Sequence, residues 1–119
     1  MHYQDKISIG KSGEETAVDF LRTKEYQIIS RNYFSPYGEI DIIAIDENEL
    51  VFIEVKTRNS NLETALNSVS LSKQKKLAKT ASYFLLKNPR FEDMATRFDV
   101  IVILKNKNQI KHLKDAFLP

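Results

Sequence analysis

Two segments of the chain carry apolar residues at helical spacing. The first, SGEETAVDFLRTKE at 12–25, opens with Ser12 three residues before a glutamate, as in a capping box. Its apolar stripe consists of Ala17, Val18 and Leu21. The second, LSKQKKLAKTASYFLLK at 71–87, is followed by a proline that forbids its continuation. Its stripe consists of Leu77, Ala81, Phe84 and Leu85. Two helices are therefore predicted.

Five further runs have the length and composition of strands. They cover 26–34, 39–46, 49–57, 96–105 and 109–117. The fourth run has an unbroken apolar middle, which indicates burial on both faces, and the last is mixed enough to be an edge. The first three runs can pair as antiparallel hairpins, and the second helix can return the fourth run parallel to the third. The pattern predicts an α/β fold with a mixed central sheet flanked by helices.

Size and composition narrow the class of protein. A chain of 119 residues and 13.8 kDa, with 42% hydrophobic and 29% charged residues, predicts one globular domain over 1–119. The absence of cysteine excludes disulfides and thiolate metal sites. No apolar run reaches signal-peptide length or the roughly 20 residues that cross a bilayer, so a cytoplasmic protein without a membrane partner is expected. The net charge of +2 permits an anionic partner without requiring one.

Charged residues interrupt the apolar hairpin GEIDIIAIDENELVFIEVK at 38–56. If its turn centres in the middle of DENE, Asp41 faces Glu54 and Glu39 faces Lys56. The same register pairs Ile43 with Phe52 and Ile45 with Leu50. Because side chains alternate along a strand, Asp41, Glu54 and Lys56 are then expected on one face, near one end of the hairpin. A three-residue loop would shift the register by one and break this alignment.

Two carboxylates that face each other repel, and each is costly to bury. A hard divalent cation relieves both, because Mg²⁺ prefers oxygen ligands and is commonly held by one or two carboxylates together with substrate phosphates. Lys56 would lie near the waters of that cation or near a phosphate oxygen. In outline this is a phosphodiester-cleaving arrangement. A solvated, idle pair of acids and a Glu39 to Lys56 salt bridge are the structural alternatives.

The helices add two candidate residues. On a helical wheel Glu14 falls within the apolar stripe of the first helix, whereas Glu15 points away. Lys73 is in line with the stripe of the second helix, whereas Lys75 and Lys79 point to the opposite side. Glu14 and Lys73 are therefore expected to face the sheet, although the helix macrodipole alone favours an acid in a first turn. The remaining lysines of 73–79 and of 105–114 are interpreted as a solvated face.

Five segments carry a resemblance to a known family. They are GKSGEETAVDFL, RNYFSPYGEIDIIA, VFIEVKTR, SKQKKLAKTASYFL and RFDVIVI. In this order they resemble the YraN-like family, which is similar to Holliday-junction resolvases and restriction endonucleases of the PD-(D/E)XK nuclease superfamily. The match covers nearly the whole chain. It implies a restriction-endonuclease-like αβββαβ core, whose element order agrees with the hydrophobic pattern.

The resemblance also implies roles for individual residues. Asp41 and Glu54 stand at the two metal-binding acids and Lys56 at the catalytic lysine, while Glu14 matches the helix acid of resolvase-like members. Mg²⁺ or Mn²⁺ is the implied cofactor, and DNA, branched or processed forms included, is the implied partner. The expected nucleic-acid contacts are Lys73 and Arg58. Because resolvase-like nucleases usually act as dimers, a homodimer is a further expectation.

The chain departs from the family pattern at two positions. Ile40 replaces the proline of the PD dipeptide, and Glu25 stands at a helix end where a glycine is expected. A second class of function stays open, namely a non-catalytic module on the same fold that contacts nucleic acid or a protein. The nuclease is favoured, because apposed carboxylates would repel phosphate in a pure binding protein. Asp99 is expected to pair with Arg97 or Arg58 and is assigned no chemistry.

Overall fold

The computed structural model describes residues 12–59 and 69–117. The helices are α1 (Gly13–Thr23) and α2 (Leu71–Lys87), and the strands are β1 (Gln27–Ser35), β2 (Gly38–Asp46), β3 (Glu49–Arg58), β4 (Ala95–Leu104) and β5 (Gln109–Leu113). Two short 3-10 turns, Pro89–Phe91 and Lys105–Lys107, flank β4. The predicted αβββαβ order, followed by a last strand, is confirmed. Most of the polar segment 58–70, for which the sequence predicts no element, lies outside the described residues.

The five strands form one mixed sheet in the order β1-β2-β3-β4-β5. Neighbouring strands are antiparallel except β3 and β4, which run parallel from Glu49 beside Ala95 to Arg58 beside Leu104. The helix α2 lies in the connection between these two strands, as the crossover prediction requires. The prediction of burial on both faces of β4 is confirmed, because the strand is buried from Arg97 to Leu104.

Each face of the sheet carries its own hydrophobic core. The core under α1 consists of Ala17, Val18, Phe20, Leu21, Tyr26, Ile42, Ala44, Val51, Ile53, Ile101 and Ile103. The core under α2 consists of Ile40, Ile43, Leu50, Phe52, Leu77, Ala81, Phe84, Phe91 and Phe98. Full burial of one large apolar side chain contributes roughly 1.5–3 kcal/mol. These contacts hold both helices, and the side chains of their first turns, in fixed positions on the sheet.

Both helices begin with a satisfied cap. The predicted capping box of α1 is confirmed, because the Ser12 hydroxyl accepts the Glu15 N–H at 3.1 Å and the Glu15 carboxylate accepts the Ser12 N–H at 3.1 Å. At the start of α2 the Ser70 hydroxyl accepts the Lys73 N–H at 3.2 Å. The caps fix where the first-turn side chains project. No helix within the described ranges has both the length and the apolar character that a bilayer crossing requires.

The last strand is shorter than predicted. It ends at Leu113, because the backbone that follows turns towards β4 and leaves the sheet. There the Asp115 N–H donates to the Asp99 carboxylate at 2.9 Å, and the Ala116 N–H donates to the Phe98 carbonyl at 2.7 Å. The buried Asp99 carboxylate thus takes the place of a strand partner for this segment. The hydrophobic pattern could not anticipate this contact.

Candidate metal centre

The strands β2 and β3 part beside Asp41. Their pairing follows the predicted register, with Ile43 beside Phe52, and its last pair is Ile42 with Ile53. Beyond that pair the Val55 N–H donates to the Asp41 carboxylate at 2.8 Å. A side-chain oxygen thus takes the place of a ladder carbonyl, and the Asp41 carboxylate lies in the fork between the two strands.

The alternation of side chains along β2 is interrupted at the same point. Ile40 packs in the core under α2, whereas Ile42, two residues further, packs in the core under α1. In the neighbouring strand Asn32, which lies opposite this stretch, has a left-handed backbone with φ 52°. The expectation that Asp41, Glu54 and Lys56 simply share one face is therefore corrected. Asp41 sits at the irregularity and reaches side chains from both faces of the sheet.

On the α1 side, three carboxylates approach one another. Glu14, Glu39 and Asp41 each offer one oxygen, and these oxygens all lie within 4.8 Å of one another. We call these three residues the carboxylate cluster. The Oε1 atom of Glu14 is buried and has no hydrogen-bond partner within the part of the chain that the structure describes. The inward placement predicted for Glu14 is confirmed, and Glu15 is exposed as expected.

The close approach of α1 depends on a glycine. At Gly13 an added Cβ atom would collide with Thr57 Oγ1 of β3. Any other residue there would require the Thr57 side chain to turn away or the first turn of α1, and with it Glu14, to move from the sheet. A glycine at position 13 therefore allows the first turn of α1 to pack closely against β3.

On the α2 side, two amines neutralise a buried acid. Glu54 is 5% exposed, and its Oε2 atom lies 2.6 Å from Lys73 Nζ and 3.8 Å from Lys56 Nζ. The inward placement predicted for Lys73 is confirmed, and Lys75 and Lys79 are exposed as expected. Glu54, Lys56 and Lys73 form what we call the amine pocket.

The pKa values at the fork follow from burial and pairing. Burial and a hydrogen bond with Glu54 raise the pKa of Asp41 to about 8, against the opposing effect of the Val55 N–H. Burial alone would raise the pKa of Glu54, but its hydrogen bonds with Asp41 and Lys73 hold that pKa below its ordinary value. Burial and the neighbouring Lys73 lower the pKa of Lys56. At neutral pH the two acids therefore share one proton, in the place where the sequence predicts a cation.

One member of the cluster was missed by sequence reasoning. Glu39 was expected to face Lys56, but in the structure it pairs with Phe34 of β1 and its carboxylate joins Glu14 and Asp41. The available signal was its position two residues before Asp41 on the same strand. Arg58 lies at the end of β3, close enough to Lys56 to lower the pKa of that amine, and its Nη1 atom donates to the Thr57 carbonyl at 2.8 Å.

Asp99 lies outside this centre. It is fully buried and accepts Arg97 Nε at 3.0 Å and His112 Nε2 at 2.7 Å. Of the two arginine partners that the sequence allowed, the structure shows Arg97. Although burial alone would raise it, the pKa of Asp99 is held below its ordinary value by these two contacts.

Sequence comparison relates the chain to known proteins. The profile of the uncharacterised protein family UPF0102 matches residues 13–103, a range that contains both the carboxylate cluster and the amine pocket. The chain belongs to this family. The resemblance to the YraN-like family is thereby confirmed.

Three UPF0102 relatives illustrate the match. The UPF0102 protein of Francisella tularensis subsp. novicida is 45% identical over 113 residues, which cover 93% of this chain and 95% of the relative. That of Thermodesulfovibrio yellowstonii is 44% identical over 113 residues, with 94% and 97% covered. That of Clostridium botulinum is 43% identical over 122 residues, with 98% of each chain covered. The similarity therefore extends over nearly the full length of each relative.

The donor set of this UPF0102 chain suits a hard divalent cation. The carboxylate cluster offers oxygen atoms only, which favours Mg²⁺ or Mn²⁺ over softer metals. Buried polar atoms in folded proteins are normally satisfied, and a cation would satisfy the buried Glu14 oxygen. The same cation would replace the proton that Asp41 shares with Glu54. The residues present therefore fit the metal that the resemblance implies.

Proposed function

We propose that this protein is a metal-dependent endonuclease that hydrolyses phosphodiester bonds in DNA. The observation that carries the proposal is the meeting of the carboxylate cluster and the amine pocket at one fork of the sheet. Acids alone would repel a phosphate, whereas acids with a cation and two amines can hold one. The resemblance to Holliday-junction resolvases supports DNA as the substrate.

Asp41 occupies the centre of the proposed metal site. Mg²⁺ or Mn²⁺ would be held by Asp41, Glu54 and Glu14, with Glu39 as an added ligand. When bound, the cation would lower the pKa of a water molecule and stabilise the negative charge that develops on the phosphoryl oxygens. Because the pKa of Asp41 is raised, the cation competes with a proton for this carboxylate, and its affinity is expected to increase with pH.

The amines act on the phosphate. Lys56 is 8% exposed beside Glu54, and in the proposal it orients the attacking water or contacts the scissile phosphate. The side chain of Lys73 is 40% exposed, so its ammonium can turn from Glu54 to a neighbouring phosphate. Arg58, at the end of β3, is proposed as a further phosphate contact.

A titration of Mg²⁺ and of Mn²⁺ tests the proposal. Cleavage of single-stranded, duplex and four-way-junction DNA would be followed for the wild type and for Asp41→Ala, Glu54→Gln and Glu14→Gln. We expect metal-dependent cleavage by the wild type and a loss of about a hundredfold or more in each variant, since each removes a metal ligand. Glu15→Gln is the matched control, because Glu15 lies on the same helical turn but is exposed, and glutamine keeps the capping box.

Calorimetric titration of the metal without DNA separates the outcomes. Metal binding that Asp41→Ala abolishes, without cleavage of any substrate, would favour a non-catalytic module on the same fold. Cleavage that survives Asp41→Ala would contradict the proposed endonuclease, in which Asp41 is the central metal ligand.

A further inference from the structure

A cationic and aromatic surface lies along the outer side of α2. A groove of about 450 Å³ is lined by Tyr37, Ala78, Lys79, Ser82, Tyr83 and Leu86. We call Tyr37, Lys79 and Tyr83 the aromatic platform. Tyr37 is 50% exposed, although it is a large ring in the turn between β1 and β2. The sequence pattern assigned Lys79 to a solvated face, and the structure places its ammonium over an aromatic ring.

The geometry combines rings with amines. The ring centroids of Tyr37 and Tyr83 are 6.3 Å apart with planes at 73°. Lys79 Nζ lies 5.9 Å from the Tyr37 centroid, and Lys87 Nζ lies 5.5 Å from the Tyr83 centroid. Each amine therefore stands beside a ring face. This combination suits a chain in which flat bases alternate with phosphates.

The platform is held in place before any ligand arrives. The Ser35 hydroxyl accepts the N–H groups of Tyr37 and Gly38 at 3.0 and 3.2 Å, and it lies 3.0 Å from Thr80 Oγ1 of α2. The turn that carries Tyr37 is thus fastened to the helix that carries Lys79 and Tyr83. A preformed surface loses little freedom on binding, which favours affinity.

The platform and the candidate metal centre lie on neighbouring parts of the same elements, α2 and the start of β2. Tyr37 precedes Asp41 by four residues, about 13 Å along β2. On α2, Lys79 follows Lys73 by six residues, about 9 Å along the helix axis. Between them the exposed Lys76 lies beside Gly38, whose added Cβ would be 3.9 Å from Lys76 Cβ. Lys73, Lys76 and Lys79 thus follow one another at three-residue spacing on α2, from the amine pocket at Lys73 to the aromatic platform at Lys79.

From this we infer that the aromatic platform binds a single-stranded segment of the DNA substrate beside the cleavage site. The inference rests on the proposed function and names its substrate class as DNA with unpaired bases. A duplex hides its base faces in the stack, whereas single strands offer them to aromatic side chains. Protein interfaces are depleted of lysine, so the amines of Lys79 and Lys87 argue against a protein occupant. Beyond Leu86 the adjoining groove is lined by the acidic Glu92, so we expect the DNA-binding surface to end there.

Fluorescence anisotropy with labelled oligothymidylate, in a chelator and without metal, tests the platform while no cleavage occurs. Tyr37→Ala should weaken binding about tenfold, and Tyr37→Phe should retain it, because stacking needs the ring and not the hydroxyl. Lys79→Gln should reduce the slope of log affinity against log salt by about 0.7. Phe34→Ala is the matched control, because Phe34 is 69% exposed but lies on the opposite face of the sheet from Tyr33, which contacts Tyr83. It should bind as the wild type does.

The outcomes separate this inference from the proposed function. Equal affinity of the wild type and Tyr37→Ala overturns the platform, whether or not the protein cleaves DNA. Binding that depends on Tyr37, in a protein that cleaves nothing, supports the platform and overturns the endonuclease. A wild-type dimer that Tyr37→Ala converts to a monomer in sedimentation would show that a second copy occupies this surface, and the platform would again be wrong.

Discussion

At the scale of single residues, the proton that Asp41 shares with Glu54 provides a test that needs no substrate. Burial and the contact with Glu54 raise the pKa of Asp41 from 3.8 to about 8, so the folded protein retains a proton that the unfolded chain releases. The wild type must therefore lose stability as the pH rises between these two values. In Asp41→Asn the amide mimics the protonated acid, because it donates to Glu54 and accepts the Val55 N–H. We predict that this variant is more stable than the wild type by on the order of 2 kcal/mol at about pH 8, with the difference shrinking towards pH 4.

Urea unfolding in a chelator measures this difference. Glu15→Gln, an exposed member of the capping box, should follow the wild-type curve. Added Mg²⁺ should make the wild type more stable than Asp41→Asn, since a ligand that binds only the folded wild type stabilises it by mass action. Parallel curves for the wild type and Asp41→Asn over the whole pH range would mean that Asp41 is charged in the folded protein.

Glu39 shows how far a sequence can specify such a site. The pairing of Ile43 with Phe52, which brings Asp41 near Glu54, follows from the register of one hairpin. The inward placement of Glu14 follows from the period of one helix, so both are local properties. Glu39 joins the cluster because the alternation of β2 breaks beside Asp41 and Asn32 has a positive φ. A break of this kind depends on packing against two helices at once. Hydrophobic periodicity along a single strand does not contain it.

At the scale of elements, the position of α1 depends on the contact between Gly13 and Thr57. Since an added Cβ would meet Thr57 Oγ1, Gly13→Ala must turn the Thr57 side chain or shift the first turn of α1 or the end of β3, and we expect the helix to shift. We predict a loss of about 1–3 kcal/mol in the free energy of unfolding, as for an overpacked site. Mg²⁺ affinity should fall with it, because Glu14 moves away from Asp41. Chemical unfolding and calorimetric metal titration measure the two effects.

A double variant separates the contact from helix propensity. Thr57→Ala removes the colliding oxygen and leaves the Thr57 Cβ at 3.5 Å, an ordinary contact distance. Gly13→Ala with Thr57→Ala should therefore regain most of the stability and metal affinity that Gly13→Ala loses. If the two substitutions are simply additive, the contact does not position the helix.

The other end of α1 carries an exposed residue in an unfavourable backbone conformation. The Glu25 N–H donates to the Arg22 carbonyl and the Tyr26 N–H donates to the Leu21 carbonyl, both at 3.0 Å, which is the Schellman arrangement. Glu25 has φ 67°, a left-handed conformation that favours glycine. This gives a physical reason for the glycine that the family resemblance implies at this position.

Glu25→Gly should stabilise the protein by about 1 kcal/mol, because glycine adopts this conformation without the cost of a Cβ. The melting temperature should rise by about 4 °C. Glu25→Ala, which keeps the Cβ, is the control and should not rise. An equal gain in both variants would assign the effect to the lost charge instead of the backbone.

The helices and strands were predictable from the hydrophobic pattern, whereas the glycine cap expected at Glu25 came from the family resemblance. α1 and α2 carry apolar stripes at helical spacing and β4 carries an unbroken apolar run, each within an element of ten residues or more, so they stand out from local noise. The short β5 did not follow its pattern, because the buried Asp99 draws the backbone at Asp115 away from the sheet. Long-range polar contacts of this kind are invisible to a local period.

At the scale of the whole molecule, two polar groups lie at different ends of the β2 and β3 hairpin. At the fork, acids lie close together, and the buried Glu14 Oε1 atom has no hydrogen-bond partner among the described residues. Near the hairpin turn, Arg97 donates to Asp46 at 2.9 Å, to Glu49 at 2.8 Å and to the Tyr26 hydroxyl at 2.8 Å. There each of these acids has a basic partner, which is typical of a structural network. The fork, where the acids lie close together, is therefore the end of the hairpin that is expected to bind a ligand.

Asp99→Asn tests this division between the two ends. Asp99 accepts Arg97, His112 and the Asp115 N–H, and loss of its charge removes one of the carboxylates that pair with the buried Arg97, so we predict a loss of about 3 kcal/mol near neutral pH. Because the pKa of Asp99 is held below its ordinary 3.8, its stabilising effect is present above that value and is lost as the pH falls through the folded pKa. The unfolding free energies of the wild type and Asp99→Asn should therefore converge in acid.

The Mg²⁺ affinity of Asp99→Asn, measured by calorimetry at a temperature where the variant is folded, should stay within about twofold of the wild type. Asp93→Asn is the control, because Asp93 is an exposed acid on the same approach to β4, and it should change neither the stability nor the Mg²⁺ affinity. A large drop in metal affinity for Asp99→Asn would show that the two ends are coupled and would contradict their separation.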